Sequence, residues 1–369
     1  IKAFFPVFIL GAIFGKVMEE TGLARSIARA IINGLGKEPL KAVISVVIAA
    51  SVLTYGGVSL FVVVFAVYPF AAALFKEANY PKRFVAPVIA LGAFTATMDC
   101  LPGTPQIQNI IPTTYFGTNL YAAPLAGIIG AIIIYGGGIF YLTHRLRHAV
   151  ANGEGYGNHK INEPEHNEDM TYVNWKLAVI PLLAVLIINF VITECVVWDP
   201  DILTPFQQMK GVPLVAAKLK NVVSIWALII SLVVGIVLAL IVGKREIKSV
   251  DGLTKILNAG AIGSLLAIMN TASEVGYGNV ISQLPGFADV AHFLINIHIG
   301  GTPLVSEAIS VTVLAGITGS ASGGMSIALE LMSQDWLTWA QSIGMGPEIL
   351  HRVASMASGG LDTLPHNGA

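Results

Sequence analysis

The chain has 369 residues, of which 54% are hydrophobic and 12% charged, with a formal net charge of −1 and a mean hydropathy of +0.73. Soluble domains carry about a quarter charged residues, so this composition marks a polytopic membrane protein. It excludes a nucleic-acid partner, since no basic patch with interleaved aromatics is present. Cys100 and Cys195 lie far apart in apolar surroundings and read as unpaired membrane thiols.

The first run, 3–18, contains only Lys16 as a charge and predicts a span. It begins inside an apolar stretch, and the chain stops at Ala369 directly after a motif, so further spans are expected on each side. The amphipathic segment 23–35 is expected at the interface. Residues 42–75 then run for 34 positions without a charge, with Gly56-Gly57 near the middle. Two full spans need about 40 residues and one upright helix about 20, so a re-entrant hairpin with its tip at Gly56-Gly57 fits. Backbone can turn at membrane depth only where protein or an aqueous cavity surrounds it. In 83–117 an apolar helix is predicted to about Met98, where Asp99-Cys-Leu-Pro-Gly-Thr-Pro-Gln breaks it before a second half follows.

Uncharged runs at 119–143 and 221–242, and 177–198 with only Glu194, predict three linking spans. The polar stretch 152–169 is a solvated cytoplasmic linker, and His159 and His166 within it lack a third ligand at metal-binding spacing. A span is predicted at 256–273, an interfacial segment at 280–295, a second hairpin at 300–332 with its tip in Thr318-Gly-Ser-Ala-Ser-Gly-Gly, and a second broken helix from Glu348 to Ala369.

The chain therefore repeats itself. Glu20-Thr-Gly22, Gly56-Gly-Val-Ser-Leu60 and Asp99-Cys-Leu-Pro102 return in the same order as Glu274-Val-Gly276, Gly323-Gly-Met-Ser-Ile327 and Asp362-Thr-Leu-Pro365. Duplicated, Gly/Pro-interrupted hydrophobic segments indicate a transporter built from repeats. Charge orients them. Arg145, Arg147, Lys244, Arg245 and Lys248 mark cytoplasmic ends, and Arg25, Arg29, Lys37, Lys41, Lys76, Lys82 and Arg83 surround the first repeat, whereas 256–351 holds no Lys or Arg. One copy faces the cytoplasm and the other the outside. The expected fold is an all-α polytopic membrane protein with inverted-topology repeats, each containing a re-entrant hairpin and a broken transmembrane helix. The expected units are a first repeat at 1–118, linking spans at 119–254 with a cytoplasmic loop at 149–173, and a truncated second repeat at 255–369.

Hairpin tips and helix breaks are expected to meet near the midplane. Half-helix N-termini expose N–H groups backed by the helix dipole and hold a carboxylate without Lys or Arg; none is expected in these four elements. The candidate substrate-binding residues are Thr54, Gly56, Gly57, Ser59, Thr97, Thr104, Gln106, Ser320, Ser322, Gly323, Ser326, Thr363 and Asn367. Charged groups at membrane depth are functional candidates, and Asp99, Asp362 and His366 are assigned to ion or proton coupling. Glu307 and Glu330 are read as reaching the mouth of the second hairpin, and Glu20 and Glu274 as interfacial caps at span ends. No His-Glu-x-x-His, Gly-x-Gly-Asp or P-loop is present. An ion gradient is thus the expected energy source, with no enzymatic activity, cofactor or metal.

Three segments resemble the gluconate permease family of proton symporters, within the wider ion-transporter superfamily: Phe4-Phe-Pro-Val-Phe-Ile-Leu-Gly-Ala-Ile-Phe-Gly-Lys-Val-Met-Glu-Glu-Thr-Gly22, Thr54-Tyr-Gly-Gly-Val-Ser59, and His351-Arg-Val-Ala-Ser-Met-Ala-Ser-Gly-Gly-Leu-Asp-Thr-Leu-Pro-His-Asn-Gly368. The last looks closer to the 3-hydroxybutyrate permease branch, because it lacks the Ser-His-Val-Asn-Asp run of gluconate members. The resemblance implies an elevator-type carrier, a homodimer, in a bacterial inner membrane. The expected activity is proton symport of small organic monocarboxylates such as gluconate or 3-hydroxybutyrate, with a sodium-coupled dicarboxylate or citrate carrier as the alternative.

Overall fold

The computed structural model describes residues 5–36, 38–58, 60–159, 173–199, 201–207, 219, 222–247, 249–281, 284–286, 289, 293–294, 296–297 and 299–361. The protein is an all-helical polytopic membrane protein, with no strand among the described residues. Helix α1 (Phe5–Glu20) turns into α2 (Leu23–Leu35) at Gly22, whose φ of 71° suits glycine. The Thr21 hydroxyl donates to the Val17 carbonyl at 2.5 Å, closing the last turn of α1. The apolar face of α2, with Leu23, Ala24, Ile27 and Ala28 buried, packs on the first hairpin.

That hairpin is α3 (Pro39–Tyr55) and α4 (Leu60–Glu77). The first broken helix is α5 (Val85–Ala93), α6 (Ala96–Asp99) and α7 (Ile107–Phe116). Helix α8 (Pro124–Ala151) follows. Next come α9 (Trp175–Ala178) and α10 (Ile180–Phe190), extended by a π-helical turn over Val191–Cys195. After the short α11 (Thr204–Gln207) and α12 (Val223–Val242), α13 (Val250–Ile281) runs 32 residues. The second hairpin is α14 (Leu304–Thr318) and α15 (Ala321–Ser342), and α16 (Pro347–Ser358) follows; the expected second break at 362–365 lies outside the described residues. Among the described residues, three helices are long and apolar enough to cross a bilayer: Pro124–Ala151, Trp175–Cys195 and Val223–Val242.

The first elements of the two repeats, α1 and α13, pack lengthwise. Their backbones come close because Gly260 faces Ile13, and a Cβ there would lie 2.7 Å from the Ile13 Cα. Close approach through small residues is the usual way membrane helices associate. One core joins α1–α5, α8, α10 and α12, while Ile111 and Phe116 of α7 belong to a second core with Val311, Leu314, Met325, Trp336 and Leu350. Ile110 of the same helix belongs to the first core, so the second half of the first broken helix bridges the first core and the second repeat.

The paired motifs differ in three respects from the expectation. Glu274-Val-Gly276 does not end a helix: α13 continues through it to Ile281. Glu274 is therefore interior to a helix, whereas Glu20 ends α1 and pairs with Lys16 at 2.8 Å. The second hairpin turns at Gly319 (φ 63°) and Ser320, placing Gly323-Gly324 inside the first turn of α15. Lastly, the first break starts earlier than expected, at Phe94-Thr95. His159 bonds the Tyr156 carbonyl at 2.7 Å. His166 and half of 280–295 lie outside the described residues.

Candidate functional site

The first break is built by hydroxyls that take helical carbonyls and by prolines that cannot donate. Thr95 Oγ1 donates to the Leu91 carbonyl at 2.6 Å and Thr97 Oγ1 to the Gly92 carbonyl at 2.8 Å, at the end of α5. After α6, Thr104 Oγ1 folds back to the Thr97 carbonyl at 2.5 Å. Helix α7 then starts at Ile107 after Gln106 in extended conformation, with no side chain capping its N-terminus. An uncapped N-terminus offers free N–H groups and the positive end of the helix dipole.

The first hairpin tip sits against this break. Gln106 Nε2 donates to the Thr54 carbonyl at 2.7 Å, and Tyr55 Oη donates to the Pro102 carbonyl at 2.7 Å. The tip turns at Gly57 (φ 93°), where a Cβ would lie 3.4 Å from Pro105 Cγ. A Cβ on Gly56 would come within 2.6 Å of Leu182, so α10 closes directly over the tip. The Thr54 hydroxyl and Gln108 Oε1, one at the end of α3 and one in the first turn of α7, are buried without a hydrogen-bond partner. Buried polar atoms are seldom left unmet, so these two mark where a ligand has something to satisfy.

Helix α16 of the second repeat locks onto the same break. Arg352 is fully buried. It donates from Nη1 to the Asp99 carbonyl at 3.0 Å, from Nε and Nη2 to the Ala122 carbonyl at 3.1 and 2.9 Å, and from Nη2 to the Leu120 carbonyl at 3.3 Å. Ser355 Oγ also donates to the Asp99 carbonyl, at 2.9 Å. One residue earlier, His351 bonds Thr118 Oγ1 through Nδ1 at 2.6 Å and Asn109 Oδ1 through Nε2 at 3.0 Å. Asn109 in turn donates to the Thr104 and Leu120 carbonyls, both at 2.9 Å. The expectation of four elements without a basic residue is therefore wrong for the fourth. Its arginine is committed to the Asp99 carbonyl at the end of α6, as a cation at a helix C-terminus is, and to the Leu120 and Ala122 carbonyls between α7 and α8.

Asp99 is buried, and a Cβ on Gly359 would lie 2.8 Å from its Oδ2, so its carboxylate faces the end of α16. Asp362, Thr363, His366 and Asn367 follow there and, like Ser59, lie outside the described residues. In the second hairpin, Ser320 caps α15 by accepting from the Gly323 amide at 3.2 Å, and Ser322 lies 3.4 Å from its hydroxyl. Ser326 donates to the Ser322 carbonyl at 2.7 Å. Gly324 serves packing: a Cβ there would lie 2.1 Å from the Ala315 amide nitrogen of α14. Thr312 of α14 bonds the Ala357 carbonyl at 2.9 Å, tying this hairpin to α16.

The break thus gathers Thr54, Gly56, Gly57, Thr97, Asp99, Thr104 and Gln106 with four residues that sequence reasoning missed, Gln108, Asn109, His351 and Arg352. Of the hairpin acids, Glu330 is exposed and accepts from Tyr115 Oη at 2.9 Å. Glu307 does not reach a mouth: it is fully buried.

Residues 4–355 match the family described as GntP family permease. Among curated proteins, the chain is 47% identical over 378 residues to an "Uncharacterized transporter YxjC" of Bacillus subtilis (strain 168), covering all of this chain and 79% of that protein. Among solved structures, the fold is similar to the Alcanivorax borkumensis YdaH transporter, whose crystal structure is described as having an unusual topology. The TM-score is 0.51 at 12% identity, covering 98% of this chain and 75% of that one.

Proposed function

Because this chain belongs to the GntP family of permeases, we propose that it is a proton symporter for small organic monocarboxylates, such as 3-hydroxybutyrate or gluconate, in the bacterial inner membrane. The repeats at 1–118 and 255–369 form the carrier, joined by the spans of 119–254, and two copies associate as a homodimer. The observation that carries the reading is the uncapped N-terminus of α7 beside the unmet Thr54 hydroxyl and Gln108 carboxamide. A substrate carboxylate there accepts from α7 amides and from Thr54, a geometry suited to an anion without a lysine or arginine. Substrate hydroxyls are assigned to Gln106, Thr97 and Thr104 and to the second tip, Ser320, Ser322, Gly323 and Ser326. Ser59, Gly56, Gly57, Thr363 and Asn367 complete the lining. Coupling is assigned to the break carboxylates Asp99 and Asp362 with His366.

Protons are favoured over sodium by what the break carbonyls already bind. A sodium site needs several free carbonyl oxygens. Here those of Asp99, Leu120, Ala122, Thr97, Pro102 and Thr54 each accept a protein donor. The test is uptake of labelled 3-hydroxybutyrate and gluconate into proteoliposomes with proton and sodium gradients imposed separately. Saturable uptake driven by the proton gradient is expected for at least one of them. Uptake driven by sodium alone, or by neither gradient, overturns the reading.

A further inference from the structure

Glu307 lies in the first turn of α14, on the entering arm of the second hairpin. It is fully buried, and neither of its carboxyl oxygens has a hydrogen-bond partner. The polar groups beside it are committed elsewhere. Ser306 donates to the Leu294 carbonyl at 2.6 Å and accepts from Trp336 Nε1 at 3.1 Å, and Ser310 donates to the Ser306 carbonyl at 2.7 Å.

The charged groups of the helices packed on α14 are also accounted for. On α15, Glu330 and Asp335 are exposed, with Glu330 held by Tyr115. On α16, Glu348 is exposed, His351 is held between Thr118 and Asn109, and Arg352 donates to three backbone carbonyls. Among the described residues no cation pairs with Glu307.

An isolated ionised carboxylate in such surroundings is far costlier than the neutral carboxylic acid, because it loses its hydration with nothing to replace it. In this conformation the side chain is therefore the neutral acid. It ionises only in a conformation that admits water or a cation. A group that is protonated in one state of a two-state hairpin and released in another carries a proton across the membrane.

We propose that Glu307 is a proton-binding site of the transport cycle, loaded in this conformation and discharged when movement of the second hairpin exposes it to water. Loading forms one O–H bond at a carboxylate oxygen from hydronium, and discharge returns that proton to water. The proposal rests on the proton-symport reading above and adds to the break carboxylates a site on the opposite hairpin.

The test uses purified protein in proteoliposomes with labelled 3-hydroxybutyrate, or with gluconate if only that is carried. The wild type is measured first: if it shows no gradient-driven uptake, the function reading fails and not this one. Glu307→Gln keeps the size and neutrality of the bound acid, so its melting temperature should equal or exceed that of the wild type. It should lose accumulation under an inward proton gradient by about tenfold or more, while substrate counterflow at equal pH stays within about threefold of the wild type. Glu307→Asp should keep coupled accumulation. Gradient-driven accumulation in Glu307→Gln at wild-type level overturns the proposal. So does loss of counterflow in a folded Glu307→Gln protein, or, where that variant does not fold, loss of coupling in Glu307→Asp.

Discussion

Arg352 Nη1 donates to the backbone carbonyl of Asp99 at 3.0 Å, across 253 residues of sequence. The guanidinium of one repeat closes the helix end of the other, and Ser355 adds a second bond to the same oxygen. The first break is thus completed by α16, and its geometry depends on the second repeat staying in place.

Removing that guanidinium leaves the buried Ala122 carbonyl without its donor, while Ser355 still serves Asp99 and Asn109 still serves Leu120. Each unmet buried group costs about 1–3 kcal/mol, so Arg352→Ala should reduce the folded yield in detergent and lower the melting temperature by several degrees. Arg352→Lys supplies one point charge where a planar fork spans three carbonyls, and should fall between Arg352→Ala and the wild type. A wild-type melting curve for Arg352→Ala would show that the clamp is dispensable.

Two helical glycines should behave oppositely. A Cβ on Gly324 would lie 2.1 Å from the Ala315 amide nitrogen, a backbone atom that cannot step aside. Gly324→Ala therefore has to push α15 away from α14, at about 1–3 kcal/mol. Gly276 has nothing within 4 Å of its Cβ position and lies inside α13. Gly276→Ala should be neutral or stabilising by up to about 1 kcal/mol through helix propensity. Thermal unfolding of the two variants side by side decides the point.

Much of this architecture was legible because membrane depth makes backbone breaks conspicuous. Gly56-Gly57 within an uncharged run and Pro102 with Pro105 beside Asp99 can mean little else in a bilayer. The second hairpin turns at Gly319-Ser320, within the expected tip of 318–324, yet the repeated Gly-Gly letters differ in role: Gly57 turns the chain, and Gly324 admits a neighbouring helix. Arg352 was missed for a different reason. Its partners are main-chain carbonyls at Asp99, Leu120 and Ala122, and a backbone acceptor leaves no side-chain signature. The burial of Glu307 was equally silent, since a glutamate flanking a hairpin reads as reaching its mouth, as Glu330 does from the exposed face of α15.

Gln106 and Tyr55 hold the first tip onto the break from opposite sides. Gln106→Ala frees the Thr54 carbonyl and removes a side chain assigned to the substrate site. It should lower uptake by about tenfold, chiefly through a higher KM. Tyr55→Phe removes only the bond to the Pro102 carbonyl, worth about 1 kcal/mol, and should leave KM within about threefold of the wild type while lowering thermal stability slightly. Concentration-dependent initial rates separate the two effects. An unchanged KM in Gln106→Ala would remove that residue from the substrate site.

The end of α8 and the start of the first broken helix are tied together outside the membrane. Arg83 Nε and Nη2 each donate to a Glu154 carboxylate oxygen at 2.6 Å, and the Tyr156 amide donates to Asn79 Oδ1 at 3.1 Å. The Arg83 hydrogen bonds hold the Glu154 carboxyl below its ordinary value of 4.5. A depressed carboxylate contributes its stabilisation above the unfolded value and loses it as pH falls through the folded one. Docking of 152–157 on 79–83 should therefore be constant from neutral pH down to about 5 and weaken below about 4.5. The pair is exposed, so it should also weaken in molar salt. Hydrogen-exchange protection of the Tyr156 amide, corrected for intrinsic rate at each pH, reports the docking. Glu154→Gln should show reduced protection at neutral pH and no further acid loss in this range. An acid-dependent loss of the same size in Glu154→Gln would assign the titration to another group.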